Sequence, residues 1–362
     1  MSVTRLKWLE VKNFRNYSQL FWECPEGVNV IYGENGAGKS NLLESIFYLA
    51  WGRSFRGSTD QQMLRWDSDF FQIRGHFLTF LGDTEISISY CPPRKLFRLN
   101  GLPGHLQDFT GLVPVIVFSP QDIALVKGPP EGRRAFLDHL LAAQDSLYCQ
   151  NLKEYRRILK QRNILLKRIK QGKGGLRELE PWDVKLREKG TALMEKREKG
   201  LKALCQLLEP IYSQMEPGKK PSLAYLPNVE ADNWEGAMKK ARMQELKWGY
   251  TLLGPHRDDF SFKIDNKEAR FFASQGQQRS MALALKLATL SLWKDHLRRQ
   301  PLLLLDDVFS ELDRRRQEAL ARLIPPCQTF ITSAERETLP PRLLAGASLW
   351  NLREGRLRPI CP

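Results

Sequence analysis

The residues able to do chemistry lie in two strings. Gly33-Glu34-Asn35-Gly36-Ala37-Gly38-Lys39-Ser40, followed by Asn41, fits G-x-x-x-x-G-K-[ST]. Glycines at this spacing let the backbone wrap a phosphate chain with its amide N–H groups pointing inward, and the helix that follows offers its positive end to the same anion. Lys39 then reaches the β- and γ-phosphates, and Ser40 can ligate Mg²⁺. The second string, LLLLDDVFSELD, spans Leu302–Asp313. An apolar strand there delivers Asp306 beside Ser40, where it holds Mg²⁺ through a water, and Asp307 within reach of the γ-phosphate as a water-orienting or general-base carboxylate. The bland alternative is a pair of turn aspartates after a core strand. Guanine recognition expects N-K-x-D, and the nearest string, Asn266-Lys267-Glu268-Ala269, lacks the aspartate. ATP is therefore the expected nucleotide.

A third string, Ser274-Gln275-Gly276-Gln277-Gln278-Arg279, precedes a strongly apolar stretch. Alone it is a helix start, with Ser274 as cap and Gly276 allowing close backbone approach. With both phosphate motifs present it has the position and composition of an ABC signature, which touches the γ-phosphate held by a second protomer. ATP would then be the adhesive of a homodimer.

These strings need elements to hold them. VNVIY, Val28–Tyr32, reads as a buried strand before the glycine-rich loop, and Lys39–Ala50 has apolar residues at helical spacing. Glu85–Tyr90 alternates like a strand, and Val113–Phe118 is a short apolar run that Pro114 weakens as a central strand. From about Arg133 to Met215 the pattern turns to long helices. Leu137, Leu141, Gln144, Tyr148, Leu152, Tyr155, Leu159, Arg162, Leu166 and Ile169 make a heptad-like seam, Gly172, Gly174 and Gly175 break it, and a second helix runs from about Trp182 to Met215. The pair reads as a helical hairpin arm, or otherwise as an ordinary helical subdomain. From about Tyr250 the α/β character returns, with a strand at Phe260–Ile264 and a helix at Ser280–Leu297. The expected fold is an α/β P-loop ATPase head of ABC type with an inserted helical arm. Its parts are the amino-terminal half of the head over 1–125, the arm over 126–250, and the carboxyl-terminal half over 251–362.

Composition narrows the partners. The 362 residues carry 56 Lys and Arg against 41 Asp and Glu, a net +15, which favours a polyanion. The charged opening MSVTRLKWLEVKNF does not look like a signal peptide, and no uncharged run reaches a membrane span. Six scattered cysteines without C-x-x-C, and five histidines without H-E-x-x-H, suggest neither a zinc site nor a disulfide framework, so a cytoplasmic location is expected. The charge is concentrated: residues 151–202 hold 17 basic and 7 acidic groups. Lys153, Arg156, Arg157, Lys160, Arg162, Lys167 and Arg168 are the expected phosphate contacts. No major-groove reading motif is present, so DNA binding should be independent of sequence. Duplex and single strand both stay open.

Together these residues resemble the RecF family, bacterial recombinational-repair proteins among the SMC-like ABC ATPases. The likeness runs nearly end to end: LEVKNFRNY (Leu9–Tyr17), GENGAGKS with NLLESI, SPQDIALVKGPPEGRRAFLD (Ser119–Asp138), LKQRN (Leu159–Asn163), LLGPHRDD (Leu252–Asp259), SQGQQR and DDVFSELD. The resemblance implies that Arg15 and Asn16 lie near the base and phosphates, that Gln121 is the Q-loop glutamine, and that Ser310 to Asp313 form the D-loop at a dimer interface. It further implies ATP-dependent DNA binding, action with RecO and RecR, and help in loading RecA at gaps coated with single-strand-binding protein. A nuclease or chromosome-organising SMC-like subunit is the alternative, but no nuclease motif is visible and the arm is short. Most ABC ATPases have glutamate where this chain has Asp307, and Ser333 stands where many have a switch histidine. A carboxylate displaced by about 1 Å can cost on the order of 100-fold in rate. The expectation is a weak, DNA-stimulated ATPase whose slow turnover times dimer release.

Overall fold

The structure, a computed structural model, describes residues 2–105, 111–297, 299–335 and 337–360. The chain forms two compact units: Met1–Asp122 with Gln214–Pro217 and Ala282–Pro362, and Ile123–Ser213 with Gly218–Met281.

The first unit is built on a six-stranded sheet whose neighbours, in order, are Arg356–Pro359, Ser348–Arg353, Val28–Tyr32, Thr329–Ser333, Leu302–Asp306 and Val115–Phe118. All pairings are parallel except the terminal hairpin. Parallel strands covered on both faces read as continuous apolar runs, and Leu302–Leu305 is buried throughout. Val115–Phe118 takes the edge, where the preceding Pro114 costs no ladder bond; its carbonyl accepts from Leu302 N–H at 2.8 Å. Because the strands run the same way, Tyr32, Asp306 and Ser333 all end at one edge, and loops there converge.

A second, antiparallel sheet orders Tyr17–Glu23, Arg5–Phe14, Phe71–Thr79, Gly82–Cys91, Arg94–Leu99 and Leu102–Gly104. Phe71–Thr79 alternates buried and half-buried along its whole length, so one face is packed. The helix Lys39–Trp51 supplies part of that packing. A Cβ on Gly75 would lie 2.7 Å from Leu49 Cδ1, so the strand must be bare there. Gly52, at φ +61°, ends the helix with its N–H on Tyr48 O at 2.7 Å.

The second unit contains the helices Pro130–Ala142, Ser146–Lys170, most of Glu180–Met215, and Trp234–Trp248, with the small sheet Pro221–Leu226, Asp259–Ile264 and Lys267–Glu268. Three expectations change here. The seam from Leu137 to Ile169 is not one helix. Asp145 accepts from Tyr148 N–H at 3.0 Å and caps a new helix, and Ile158 rather than Leu159 lies in the buried face. The long helices are not a bare hairpin either, since Trp234 and Met238 pack with Met194 and Val229 in a core of their own. Finally, residues 251–281 belong to this unit, whereas the sequence placed them with the head.

Charge explains much of that cohesion. Arg162 is fully buried. Its guanidinium donates to Asp183 at 2.8 Å, to Glu245 at 2.6 Å and to Thr251 Oγ1 at 2.8 Å. Burial opposes its charge, and the two carboxylates more than offset that, raising its pKa. Arg162 is therefore a core residue and not a DNA contact.

The string Gly254–Asp259 forms a hub. Asp258, nearly fully buried, accepts from Asn228 N–H at 2.7 Å and from the Tyr225 hydroxyl, and Asp259 receives a forked pair from Arg133 at 2.6 and 2.8 Å. Arg197 donates to Pro255 O at 2.6 Å and to Asp138 at 2.7 Å. Gly254 adopts φ +125°, and a Cβ there would meet the Tyr155 hydroxyl at 2.5 Å. His256 faces the Thr251 carbonyl at 3.2 Å, which can only accept, so Nε2 carries the proton and Nδ1 accepts from Tyr155 OH at 2.7 Å. Burial, with Arg257, Arg134 and Arg162 nearby, lowers the His256 pKa to about 4.

Replacing Arg162 with methionine strands Glu245 in the core. Chemical denaturation should show a loss of about 3–5 kcal/mol. DNA affinity of the folded fraction should change less than two-fold; a large, selective loss of DNA binding at full stability would restore Arg162 as a contact.

His256 makes stability pH-dependent. The unfolded chain takes up its proton as pH falls through 6.5, and the folded chain only near 4, so the contribution is complete above 6.5 and is lost toward 4. From pH 7 to 5 the wild type should lose about 2 kcal/mol more than His256→Gln. Equal slopes for the two proteins in urea titrations would refute this.

Candidate nucleotide site

The loop after Val28–Tyr32 is shaped by its glycines. Gly36 and Gly38 have φ of +86° and +105°. Gly38 also lies against Asn16, where a Cβ would come within 2.3 Å of Nδ2. Asn16 Nδ2 donates to Ala37 O at 3.0 Å, Asn41 Nδ2 donates to Asn16 Oδ1 at 2.8 Å, and the Tyr17 hydroxyl donates to Gly38 O at 2.9 Å. The turn between Phe14 and Tyr17 thus braces the loop from outside. Glu34, Asn35 and Gly36 are exposed, while Gly33, Ala37 and Ser40 are half-buried.

Lys39 is buried, its ammonium donating to Gly33 O at 2.5 Å and Glu34 O at 3.0 Å. Burial lowers its pKa, and Asp307 and Asp306 pull it back up. Asp306 ends Leu302–Asp306 and Asp307 follows it, and Thr332 on the neighbouring strand bonds both. Its hydroxyl donates to Asp306 Oδ1 at 2.9 Å and accepts from Asp307 N–H at 3.0 Å. Asp307 stands at φ +50°, in the left-handed region, and burial raises its pKa against the pull of Ser310 and Lys39. Its Oδ1 is buried with no hydrogen-bond partner, an acceptor waiting for a donor.

Arg15 is committed elsewhere. Its guanidinium donates to both oxygens of the fully buried Glu44 at 2.9 and 3.0 Å, to Ser58 at 2.7 Å and to Gln62 O at 2.9 Å. It anchors the Phe14–Tyr17 turn to the helix Lys39–Trp51, and so positions Asn16. The sequence reading missed Arg56, which donates to Asn41 Oδ1 at 3.1 Å and lies 4.0 Å from Asp306 Oδ2. Its signal was a second arginine in GRSFRG, just past the helix. Tyr17 and Thr332 were missed as well, since neither type nor spacing marks a hydroxyl that braces a loop.

Gln121 is exposed in the turn Pro120–Asp122 after the edge strand. Beside it, Asp122 pairs with Lys286, which also donates to Val117 O at 2.5 Å. That lysine, the one charge in the apolar run Met281–Trp293, ties the helix Gln275–Leu297 to the Gln121 turn. Ser310 is exposed and donates to Asp307 O at 2.8 Å, and Asp313 caps Arg314–Leu323 by accepting from Arg316 N–H at 2.9 Å. Ser274–Gln277 lies in the second unit. Ser274 Oγ accepts from Gln277 N–H at 3.2 Å and Gln277 Oε1 from Ser274 N–H at 3.0 Å, a reciprocal cap on an exposed turn. Lys153, Arg156, Arg157, Lys160, Lys167 and Arg168 are exposed on Ser146–Lys170, with Arg156 paired to Asp138 at 3.1 Å.

The donor set fits a magnesium–triphosphate. Positive φ at Gly36 and Gly38 permits a backbone that can present amides to an anion, Lys39 rests on replaceable carbonyls, and Asp307, whose Oδ1 has no hydrogen-bond partner, interacts electrostatically with that lysine.

Residues 5–341 match the family described as the RecF/RecN/SMC N terminal domain. The chain is 46% identical over 358 residues to a DNA replication and repair protein RecF of Moorella thermoacetica, covering 98% of this chain and 97% of that one. It is 37% identical to one of Bacillus thuringiensis, over 91% of this chain and 93% of the relative. A solved structure of the recombination mediator protein RecF with ATP, in the RecFOR pathway, superposes with a TM-score of 0.91 at 33% identity, over 99% of this chain and 98% of that chain. A Pyrococcus furiosus Smc head shares the fold alone, with a TM-score of 0.60 at 16% identity. With the braced phosphate loop and the paired strand-end aspartates in place, the chain belongs to the RecF family within the RecF/RecN/SMC group of ABC-type ATPase heads.

Proposed function

We propose that this chain is an ATP-dependent DNA-binding protein of recombinational repair and replication restart, acting with RecO and RecR to help load RecA at gaps. The observation that carries the reading is the convergence of Lys39, Asp306 and the unpartnered Asp307 Oδ1 at one strand edge. Lys39 is poised to leave its two loop carbonyls for phosphate oxygens, keeping its charge in a buried site because two carboxylates face it. Ser40 and Asp306 are the residues that would hold Mg²⁺, which when bound would supply positive charge to offset that of the phosphates. Thr332 keeps Asp306 turned, and Asp307 Oδ1 is free to accept a proton from an attacking water. Gln121 would help orient that water. The short carboxylate at 307 makes hydrolysis slow, with DNA stimulating it.

In this reading the Ser274–Gln277 turn of one copy closes on the triphosphate of another, and Ser310 and Asp313 line the same seam. The dimer then grips DNA through the exposed cations of Ser146–Lys170 without reading sequence. No helix among the described residues is long and apolar enough to cross a membrane, and the expected location is the cytoplasm.

Lys39→Met should abolish ATP binding. Asp307→Asn should bind ATP normally and hydrolyse it at least 100-fold more slowly, since a positioned base is worth 10²–10⁴. Ser274→Arg should bind ATP yet stay monomeric by analytical ultracentrifugation with ATP and DNA. Dimers that form without nucleotide, or in the Ser274 variant, would contradict the composite site.

Lys160→Glu and Arg168→Glu should each lower the log–log salt slope of DNA affinity by about one unit, equally for unrelated sequences. Slopes identical to wild type would move the DNA elsewhere.

A further inference from the structure

A cavity of about 690 Å³ opens in the first unit at the amino ends of the parallel strands, lined where Val28, Gln300 and Gln328 lead into them. The nucleotide site lies at their carboxyl ends. Strands of five residues separate the two by about 15 Å. Nothing in the nucleotide chemistry uses this end of the sheet.

Three arginines, Arg5, Arg322 and Arg342, line the cavity against one carboxylate, Glu26. Glu26 pairs with Arg5 Nη1, and Arg5 Nε is buried with no hydrogen-bond partner. Arg322 and Arg342 are exposed and have no carboxylate partner among the described residues. A helix dipole accounts for a cation in the last turn of Arg314–Leu323, but not for three guanidiniums around one opening. Between them the walls are apolar, with Ile324, Leu343 and the Pro325-Pro326 pair. Proline fixes φ, so that wall is formed before any partner arrives and little order is lost on binding.

The lining excludes some occupants. No aromatic ring is among these residues, so a nucleobase finds no stacking platform. A bare phosphate would leave the apolar walls wet. The volume lies in the range of sites that bury a few side chains. We propose that this cavity docks a short segment of a partner protein in which Asp or Glu residues alternate with Leu, Ile or Phe. The carboxylates would take the exposed Arg322 and Arg342 forks, and an apolar side chain would fill the floor at Ile324 and Leu343.

The test is independent of the ATP reading. A displayed random library of twelve-residue peptides is panned on the full chain, with the Arg322→Glu/Arg342→Glu variant as counter-selection. Both arginines are exposed and outside the nucleotide site, so the variant should hydrolyse ATP within two-fold of wild type, which also verifies its fold. Wild-type-selective peptides should converge on two or more acids interleaved with aliphatic or aromatic residues. The fluorescein-labelled consensus peptide should bind at least 10-fold more weakly to the variant, and to wild type when its acids become amides. The proposal fails if no wild-type-selective peptide emerges, or if the consensus lacks acids. It fails equally if a single- or double-stranded oligonucleotide displaces the bound peptide, since the cavity would then be a nucleic-acid site.

Discussion

The nucleotide site depends on three charges that cannot be buried separately. The ammonium of Lys39 loses water in the fold of the phosphate loop, and the carboxyl groups of Asp306 and Asp307 lose it at the end of a leucine strand. A charge buried without a partner tends to neutralise by shifting its pKa. Placed beside the two carboxylates, the Lys39 ammonium has opposing charge that offsets part of its desolvation. The cost that remains appears as a lowered Lys39 pKa and a raised Asp307 pKa. In the proposed reading a magnesium–triphosphate would relieve both, offering Lys39 phosphate oxygens in place of carbonyls and the aspartates a cation.

Holding that arrangement requires rigidity from outside the loop. The parallel sheet sets the depth of Asp306, because Thr332 sits opposite it in register and holds its carboxylate. The antiparallel sheet sets the outer wall, through Asn16 and Tyr17 at the tip of one hairpin. Arg15 makes the hairpin tip rigid by binding Glu44, a full turn down the helix that begins at Lys39. Its strained φ of +55° is tolerated because four acceptor atoms, two on Glu44 and one each on Gln62 and Ser58, hold the guanidinium. Replacing any one of these braces would loosen the loop without touching a phosphate.

How far the sequence could be read follows from how local each signal is. The phosphate loop and its helix are contiguous, and the helix Lys39–Trp51 ends within one residue of the expected bound. The strand before Asp306 announces itself by four leucines, and Pro114 correctly marks its neighbour as an edge. The failures involve partners far apart in the chain. Arg162 looks like one more cation in a basic run, because Glu245 and Asp183, which bury it, lie 83 and 21 positions away. Asp145 was a local clue that went unused: one capping carboxylate split a seam that apolar spacing alone carried through. The string Gly254–Asp259 is more structural than its composition suggests. It gathers Arg133, Arg134, Arg197 and Tyr225 into one network, and so draws residues 251–281 out of the head.

That network also changes how the net charge should be counted. A cation acts on a distant polyanion only if its field is not already cancelled nearby and screened by a short Debye length, about 8 Å at physiological salt. Arg162 and Arg197 are buried among carboxylates, and Lys189 and Lys196 pair with Glu154 and Asp145. Much of the +10 on residues 151–202 is therefore spent inside the second unit. The proposed phosphate contacts are the exposed Lys153, Arg157, Lys160, Lys167 and Arg168, with Arg156 shared with Asp138, and Lys170, Lys173, Arg177, Lys185 and Lys199 are exposed as well. Six cations release at most about five counterions per copy on duplex DNA. Through these six contacts a single copy would bind modestly, and joining two copies, as proposed, would raise the effective concentration of the second set of contacts. In the proposed dimer, affinity for DNA and assembly around ATP would become one equilibrium, because the two rows of contacts would engage the same DNA only when the copies are joined.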